Sequence, residues 1–275
     1  MVRLGAPRPG WRDLYHAFLV QPWSVFIGIL IGLYLLLNSG FAILFALSPG
    51  AVANAKPGAR LDAFFFSLET MSTVGYGEMY PATFYGHVVV SVEIVLGVLM
   101  VPLATGLMIA KFTLPTARVM FSRTAVVNLF EGMPTLMFRV ANIRNNQMIE
   151  ARMKLTLLRT EETPEGHRLR RMFDLRLLRD ASPFFALSWT VMHPIDDASP
   201  LQGMGPEDCL AESTQLVAVL TGIDETTSSL VHARYGYGPG DILFDHAFED
   251  VLEVHEDGSV EIDYRRFHAT RRVAA

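Results

Sequence analysis

"STVGYGEMYP" (72–81) sets two glycines in alternation with a valine and a tyrosine, and Glu78 follows at once. Ahead of it, "LDAFFFSLETMS" (61–72) is apolar but only about three turns long, too short to span a bilayer and suited to a re-entrant segment. Asp62 is placed to cap its start. Long apolar runs flank the pair. "WSVFIGILIGLYLLLNSGFAILFAL" (23–47) has no charge, and "GHVVVSVEIVLGVLMVPLATGLMIA" (86–110) has Glu93 as its only acid. At 1.5 Å per residue the first reaches roughly 37 Å as a helix, enough to cross a membrane with some tilt. Non-helical backbone at membrane depth persists only where it is buried in protein or lines water. Thr73-Val74-Gly75-Tyr76-Gly77 is therefore expected to line a pore.

The glycines permit backbone angles that turn successive carbonyls to one side. A ring of such carbonyls, with the Thr73 hydroxyl below it, can replace the water around a dehydrated cation. This pentapeptide is the known signature of potassium filters, so the reading rests on that pattern together with its placement between two spans. Potassium is then the permeant ligand, held at Thr73, Val74, Gly75 and Tyr76. One chain supplies one filter strand, and the filter architecture implies four copies.

Composition agrees with a membrane part joined to a larger water-facing part. Of 275 residues, 51% are hydrophobic, and no apolar run after residue 113 is long enough to span. The net charge of −5 gives no sign of a nucleic-acid partner. Cys209 is the single cysteine, which excludes an intrachain disulfide and a cysteine-rich metal site; a buried thiol is expected. The first span is too long for a signal peptide and lacks a small-residue cleavage site after it. Arg3, Arg8 and Arg12 precede the first span, and Lys111, Arg118 and Arg123 follow the second, whereas 48–85 holds Lys56 and Arg60. The basic residues thus place both termini in the cytoplasm.

In the second span, Gly97 and Gly106 loosen the helix and Pro102 removes a backbone donor, so a bend near 102–106 is expected. Val101, Thr105 and Ile109 are four apart on one face. Two readings stand for that face: an apolar constriction that gates by dewetting at Ile109, or packing toward lipid. Glu69, one turn before Thr73, is expected behind the filter, and Glu93 in the outer half of the span. Ion attraction and a structural hydrogen bond are both open for these acids.

"WRDLYHAFLVQ" (11–21) puts Trp11, Leu14, Tyr15, Phe18 and Leu19 on one side and Arg12, Asp13 and His16 largely on the other. It reads as a helix on the inner membrane surface or as a helical lead-in to the first span. From about 124 the period becomes two, as in "MFDLRLL" around Phe173, Leu175 and Leu177, and "LVAVL" (216–220) is β-rich. Turn signals recur at Glu131-Gly132, Thr163 to Gly166, Gly238 to Gly240 and Asp257-Gly258. The pattern predicts a β-sandwich. "MHPID" (192–196) reads as a turn between strands rather than a metal site. No nucleophile constellation points to an enzyme.

The chain resembles the prokaryotic inward-rectifier potassium channels of the KirBac type. The likeness covers nearly the whole chain: "WRDLYHAF", "DAFFFSLETMSTVGYGEMYP", "LMFRVANIRNNQMIEARMKL", "FFALSWTVMHPIDDASPL" and "VHARYGYGPGDILFDHAFEDV" carry it. It implies a homotetramer whose immunoglobulin-like cytosolic sandwich extends the pore. It implies a cytoplasmic segment 1–22 with a slide helix and a pore domain 23–112. That domain comprises outer helix 23–47, pore helix 61–72, filter 73–77 and inner helix 86–110. A β-domain, 113–275, follows. Val101 falls where eukaryotic relatives often carry an acid that holds blocking magnesium or polyamines, and its apolar side chain argues against strong rectification at that level. Gly106 matches a hinge position, Ile109 the bundle crossing, and Glu150 an acid facing the cytosolic pore. Lys111, Arg118 and Arg144 match basic sites for phosphoinositide or another anionic lipid, while Leu114, Thr116 and Ala117 stand where eukaryotic channels carry lysines. The expectation is a passive potassium channel of a bacterial inner membrane, gated from inside. A weakly selective cation channel and a membrane-anchored sensor with a vestigial pore are its alternatives.

Overall fold

The computed structural model describes residues 11–56, 60–114, 117–144, 146–254 and 260–273. The chain divides into two compact units at Leu114/Pro115. Arg3, Arg8, Thr116 and the Asp257-Gly258 turn lie outside the described residues, as do the side chains of Trp11, Arg12 and Asp13.

The first unit is helical. It runs α1 (Trp11–Val20), α2 (Trp23–Ala46), β1 (Val52–Ala53), α3 (Arg60–Met71), β2 (Tyr80–Pro81) and α4 (Phe84–Phe112). Helices α2 and α4 are long and apolar enough to cross a membrane. Pro22 ends α1, because it cannot donate to that helix and restricts Gln21 before it. Helix α4 starts two residues earlier than the apolar run suggests, since the Thr83 side chain accepts from the Gly86 amide at 3.0 Å and caps it. It continues through Pro102 as one helix to Phe112. Asp62 does not cap α3. The helix already begins at Arg60, and Asp62 Oδ2 accepts from the Lys56 amide at 2.9 Å. Phe41, Phe45, Phe66, Met71 and Val89 form the apolar contact among α2, α3 and α4. The β1–β2 pair ties the segment before α3 to the segment after the filter, with Val52 opposite Pro81.

The second unit is a β-sandwich with one short helix. Its strands are β3 (Val119–Phe121), β4 (Ala125–Phe130), β5 (Met133–Asn142), β6 (Met148–Glu162), β7 (Arg168–Leu175), β8 (Ala181–Phe185) and β9 (Ser188–Pro194). After α5 (Pro206–Ala211) come β10 (Gln215–Asp224), β11 (Ser229–Tyr237), β12 (Ile242–Phe244), β13 (His246–Phe248), β14 (Leu252–Val254), β15 (Val260–Ile262) and β16 (Thr270–Arg272). One sheet has the order β11-β10-β6-β7 with β8 also on β6; the other has β12-β4-β5-β3 with β9 also on β5. Leu136, Phe138 and Val140 of β5 meet Met153, Leu155 and Leu157 of β6 and Leu216 and Leu220 of β10 in one core. Burying each such side chain stabilises the fold by about 1.5–3 kcal/mol. The predicted turn at Glu131-Gly132 joins β4 to β5 with both residues at positive φ, 52° and 81°, the geometry of a tight hairpin.

The stretch 192–196 departs from the sequence reading. Met192, His193 and Pro194 belong to β9, paired with β5, and the turn begins only after Ile195. His193 is buried, bonded through Nδ1 to the Arg176 carbonyl at 2.6 Å and through Nε2 to Ser199 Oγ at 2.8 Å. Pro194 is tolerated because β9 pairs with β5 alone among the described strands and so lies at an edge. Cys209 is buried in α5, and burial pushes its thiol pKa up. The described residues contain no cluster of His, Cys, Asp and Glu able to hold a metal.

Candidate functional site

Helix α3 stops at Met71, and the chain turns back on the helix end. The Val74 and Gly75 amides both donate to the Glu69 carbonyl, at 3.0 and 3.3 Å, and the Thr73 amide donates to the Thr70 carbonyl at 3.0 Å. Thr73, Gly75 and Gly77 have φ of 61°, 51° and 83°. Positive φ at every second residue is left-handed backbone alternating with right-handed or extended backbone, the pattern that brings successive carbonyls to a common side. Thr73 adopts this angle despite its branched side chain. The carbonyls of 73–77 accept no hydrogen bond from any described residue. Val74 and Tyr76 are exposed on the single subunit. Beyond the filter, Asn54, itself at φ 62°, donates through Nδ2 to the Glu78 carbonyl at 2.7 Å and fixes the outer end.

Behind the filter backbone lies a cavity of about 390 Å³ lined by Glu69, Thr70, Thr73, Gly75, Gly77 and residues of α4. Glu69 lines this cavity together with Thr73, Gly75 and Gly77. Glu93 is fully buried between helices. The Ser67 hydroxyl donates to Glu93 Oε1 and also faces Asn38 Oδ1 at 3.1 Å, while Asn38 Nδ2 donates to the Tyr34 carbonyl at 2.7 Å. Glu93 Oε2 has no partner among the described residues. One polar chain therefore joins α2, α3 and α4. Asn38 and Ser67 were not singled out by the sequence; a lone Asn in an otherwise apolar span was the available signal.

On α4, Val101 and Ile109 are 63% and 58% exposed, and Thr105 lies between them on the same face. Thr105 Oγ1 donates back to the Val101 carbonyl at 2.9 Å, the contact by which Thr bends membrane helices. A Cβ at Gly106 would meet nothing within 4 Å; one at Gly97 would lie 2.4 Å from the Met71 carbonyl oxygen. Gly97 is thus a close-packing position between α4 and the end of α3, a role the reading of it as a loosening residue overlooked.

Lys111, near the end of α4, is only 8% exposed, and its ammonium donates to the Leu19 and Gln21 carbonyls at 2.7 and 2.6 Å. In the second unit, Arg118 is exposed, and its carbonyl accepts from the Ile143 amide at 3.0 Å, which sets it beside the loop that carries Arg144. Arg144 Nη1 is 2.8 Å from Asp224 Oδ2. Asp224 also accepts from the Thr226 and Thr227 amides. Its carboxyl is held down at about 2, first by the Asn146 side chain and further by these amides and Arg144. Glu150 sits at a bulge in β6, with φ of 51°, where the register against β10 shifts between Thr221 and Ile223. The bulge leaves Ile149 and Glu150 exposed and returns Ala151 to the core. Gly222 makes room for it: a Cβ there would lie 2.7 Å from Met148 Cγ.

The match to known families follows the two units. Residues 25–113 match the family described as "Ion channel", and residues 119–275 match the "Inward rectifier potassium channel C-terminal domain". The chain is 42% identical to inward rectifier potassium channel Kirbac3.1 of Paramagnetospirillum magnetotacticum, over 98% of this chain and 91% of that one. It is 34% identical to G protein-activated inward rectifier potassium channel 1 of Bos taurus, over 77% of this chain but 44% of that longer one. Against ATP-sensitive inward rectifier potassium channel 14 of Rattus norvegicus it is 33% identical, over 94% of this chain and 61% of that one. With both units matched and a relative aligned nearly end to end, the chain belongs to the inward rectifier potassium channel family, as a membrane protein of the KirBac type.

Proposed function

We propose that this chain is one subunit of a homotetrameric, potassium-selective channel of a bacterial inner membrane, with both termini in the cytoplasm. The observation that carries this reading is the alternation of positive φ at Thr73, Gly75 and Gly77 with free carbonyls from 73 to 77. Four such strands around an axis present rings of carbonyl dipoles, with Thr73 hydroxyls at the inner end, in place of an ion's hydration shell. Conduction is passive, so no reaction is involved. Residues 23–112 form the pore domain, 1–22 and 113–275 the cytoplasmic parts.

Glu69 and the Asn38–Ser67–Glu93 chain support the filter from behind. Val101, Thr105 and Ile109 line the inner path, Ile109 as the apolar constriction and Gly106 as the hinge. Apolar Val101 gives magnesium or polyamines no acid to bind at that level. Glu150, aimed outward by its bulge, attracts cations toward the cytosolic mouth. Anionic lipid, phosphoinositide included, acts through Arg118, and through Lys111 and Arg144 where these give up their protein partners. Each such charge near a headgroup contributes about 1 kcal/mol.

The test is rubidium-86 uptake into liposomes holding the purified protein. Uptake suppressed by external potassium and barium but not by sodium is expected. Equal suppression by sodium would replace this reading with a weakly selective pore, and no uptake by intact tetramers would replace it with a non-conducting sensor.

A further inference from the structure

Pro22 leaves the last carbonyls of α1 without the amides that a continuing helix would supply. Two are taken locally: Gln21 Nε2 donates to the Ala17 carbonyl at 3.0 Å and the Gln21 amide to the Phe18 carbonyl at 3.3 Å. The Leu19 carbonyl and the Gln21 carbonyl receive Lys111 Nζ, from a residue some ninety positions on. The ammonium also lies 5.1 Å from the ring centres of both Trp23 and Phe26. Those rings are themselves packed, Trp23 on Phe112 at 4.5 Å and Phe26 on Phe18 at 4.5 Å. Among the described residues no carboxylate pairs with Lys111. Its charge is met by the negative end of the α1 dipole, two carbonyls and two aromatic faces.

A buried ammonium is costly unless its donors are satisfied, so this arrangement fixes three elements at one point. We propose that Lys111 is a positioning residue, a latch that fastens the end of α1 and the start of α2 to the cytoplasmic end of α4. The latch lies two residues beyond Ile109, so α1 and the end of α4 shift together rather than past one another. Its bearing on conduction rests on the reading of α4 as the pore-lining helix. The latch also makes Lys111 a residue occupied by protein, which an anionic headgroup reaches only by displacing two carbonyls.

The test reads α1 and the pore separately, in full-length tetramers in liposomes. A nitroxide is placed at exposed position 16 (His16→Cys in a Cys209→Ala background). Lys111→Met keeps the stem and removes the donors and charge; Lys111→Arg keeps both. In Lys111→Met the label is expected to become mobile, and rubidium flux to depart from the unsubstituted background by roughly fivefold or more. Lys111→Arg is expected to restore both. An unchanged label in Lys111→Met would overturn the latch. A mobile label with unaltered flux would overturn its coupling to the pore. If Lys111→Met yields no tetramer, Trp23→Leu takes its place: it strips one ring from the ammonium, a more mobile label is expected, and an immobile one overturns the proposal. The label reports on the latch even if the unsubstituted protein conducts nothing, so failure of the channel reading and failure of the latch are told apart.

Discussion

Gly97→Ala adds one methyl group where α4 crosses the end of α3. The added carbon would stand 2.4 Å from the Met71 carbonyl oxygen and 3.2 Å from the Met71 carbonyl carbon and Cα. All three are backbone atoms, so no side chain can swing away. Restoring ordinary contact requires α3 and α4 to separate by roughly 0.6–1 Å, and overpacking of this kind costs about 1–3 kcal/mol in each subunit. Met71 is nearly fully buried, and its sulfur accepts from Asn38 Nδ2 at 3.4 Å, which leaves α3 little room to yield. The displaced turn includes the Glu69 carbonyl that holds the Val74 and Gly75 amides. The filter carbonyls must therefore move with it. If the strain appears as a barrier to the ion, about 1–3 kcal/mol is roughly a fivefold to 160-fold loss of flux. The assay is rubidium uptake together with the thermal dissociation of the tetramer in detergent. Gly40→Ala, where an added carbon meets nothing within 4 Å, is the control. Flux and dissociation temperature both unchanged in Gly97→Ala would refute the close approach and the transmission of strain to the filter.

Other substitutions probe the remaining parts. Gly75→Ala places a Cβ on a backbone at φ 51° with no steric neighbour, so its cost is conformational, about 1–2 kcal/mol per strand, and potassium over sodium selectivity measured by flux competition should fall. Phe138→Ala empties a fully buried site in the sandwich and should cost about 3–5 kcal/mol, read as a lower unfolding midpoint of the β-domain in denaturant. His193 has its pKa lowered by burial, against weaker opposing effects of the Arg176 carbonyl and Asp196. Its unfolded form therefore takes up a proton first: its share of stability is complete above about pH 6.5 and fades as pH falls below that. A His193→Gln variant should lose that slope in unfolding midpoints measured from pH 7.5 to 5.5. Asp224→Asn leaves Arg144 without its carboxylate and weakens the caps to Thr226 and Thr227, a loss of about 1–3 kcal/mol. With the Asp224 carboxylate gone from beside Arg144, flux should become more sensitive to phosphoinositide in a lipid titration.

What was legible in the sequence is what depends on pattern over short distances. Two apolar runs gave two long helices because spanning a bilayer needs length and little else. The backbone alternation at 73–77 was legible in residue type, since alternate positive φ calls for glycine at 75 and 77. The β-domain showed in the alternation of Phe173 and Leu175 and in Leu216 to Leu220, which enter one core. Contacts between distant residues were not legible. Nothing near Lys111 says that its ammonium goes to Leu19 and Gln21, and nothing near Gly97 names Met71. The bulge at Glu150 needs Gly222 on the next strand to explain it. His193 was read as part of a turn because the adjacent proline and aspartates look like one; its pairing with β5 overrides that local signal.

Central to the proposed function is potassium selection by the carbonyls of Thr73 to Gly77. The most direct measurement is the reversal potential of the tetramer in a planar bilayer, with potassium on one side and sodium at equal concentration on the other. A selective filter predicts a reversal potential displaced far in the direction that opposes potassium efflux, and its collapse toward zero in Gly75→Ala. A reversal potential close to zero in the unsubstituted channel would contradict the account.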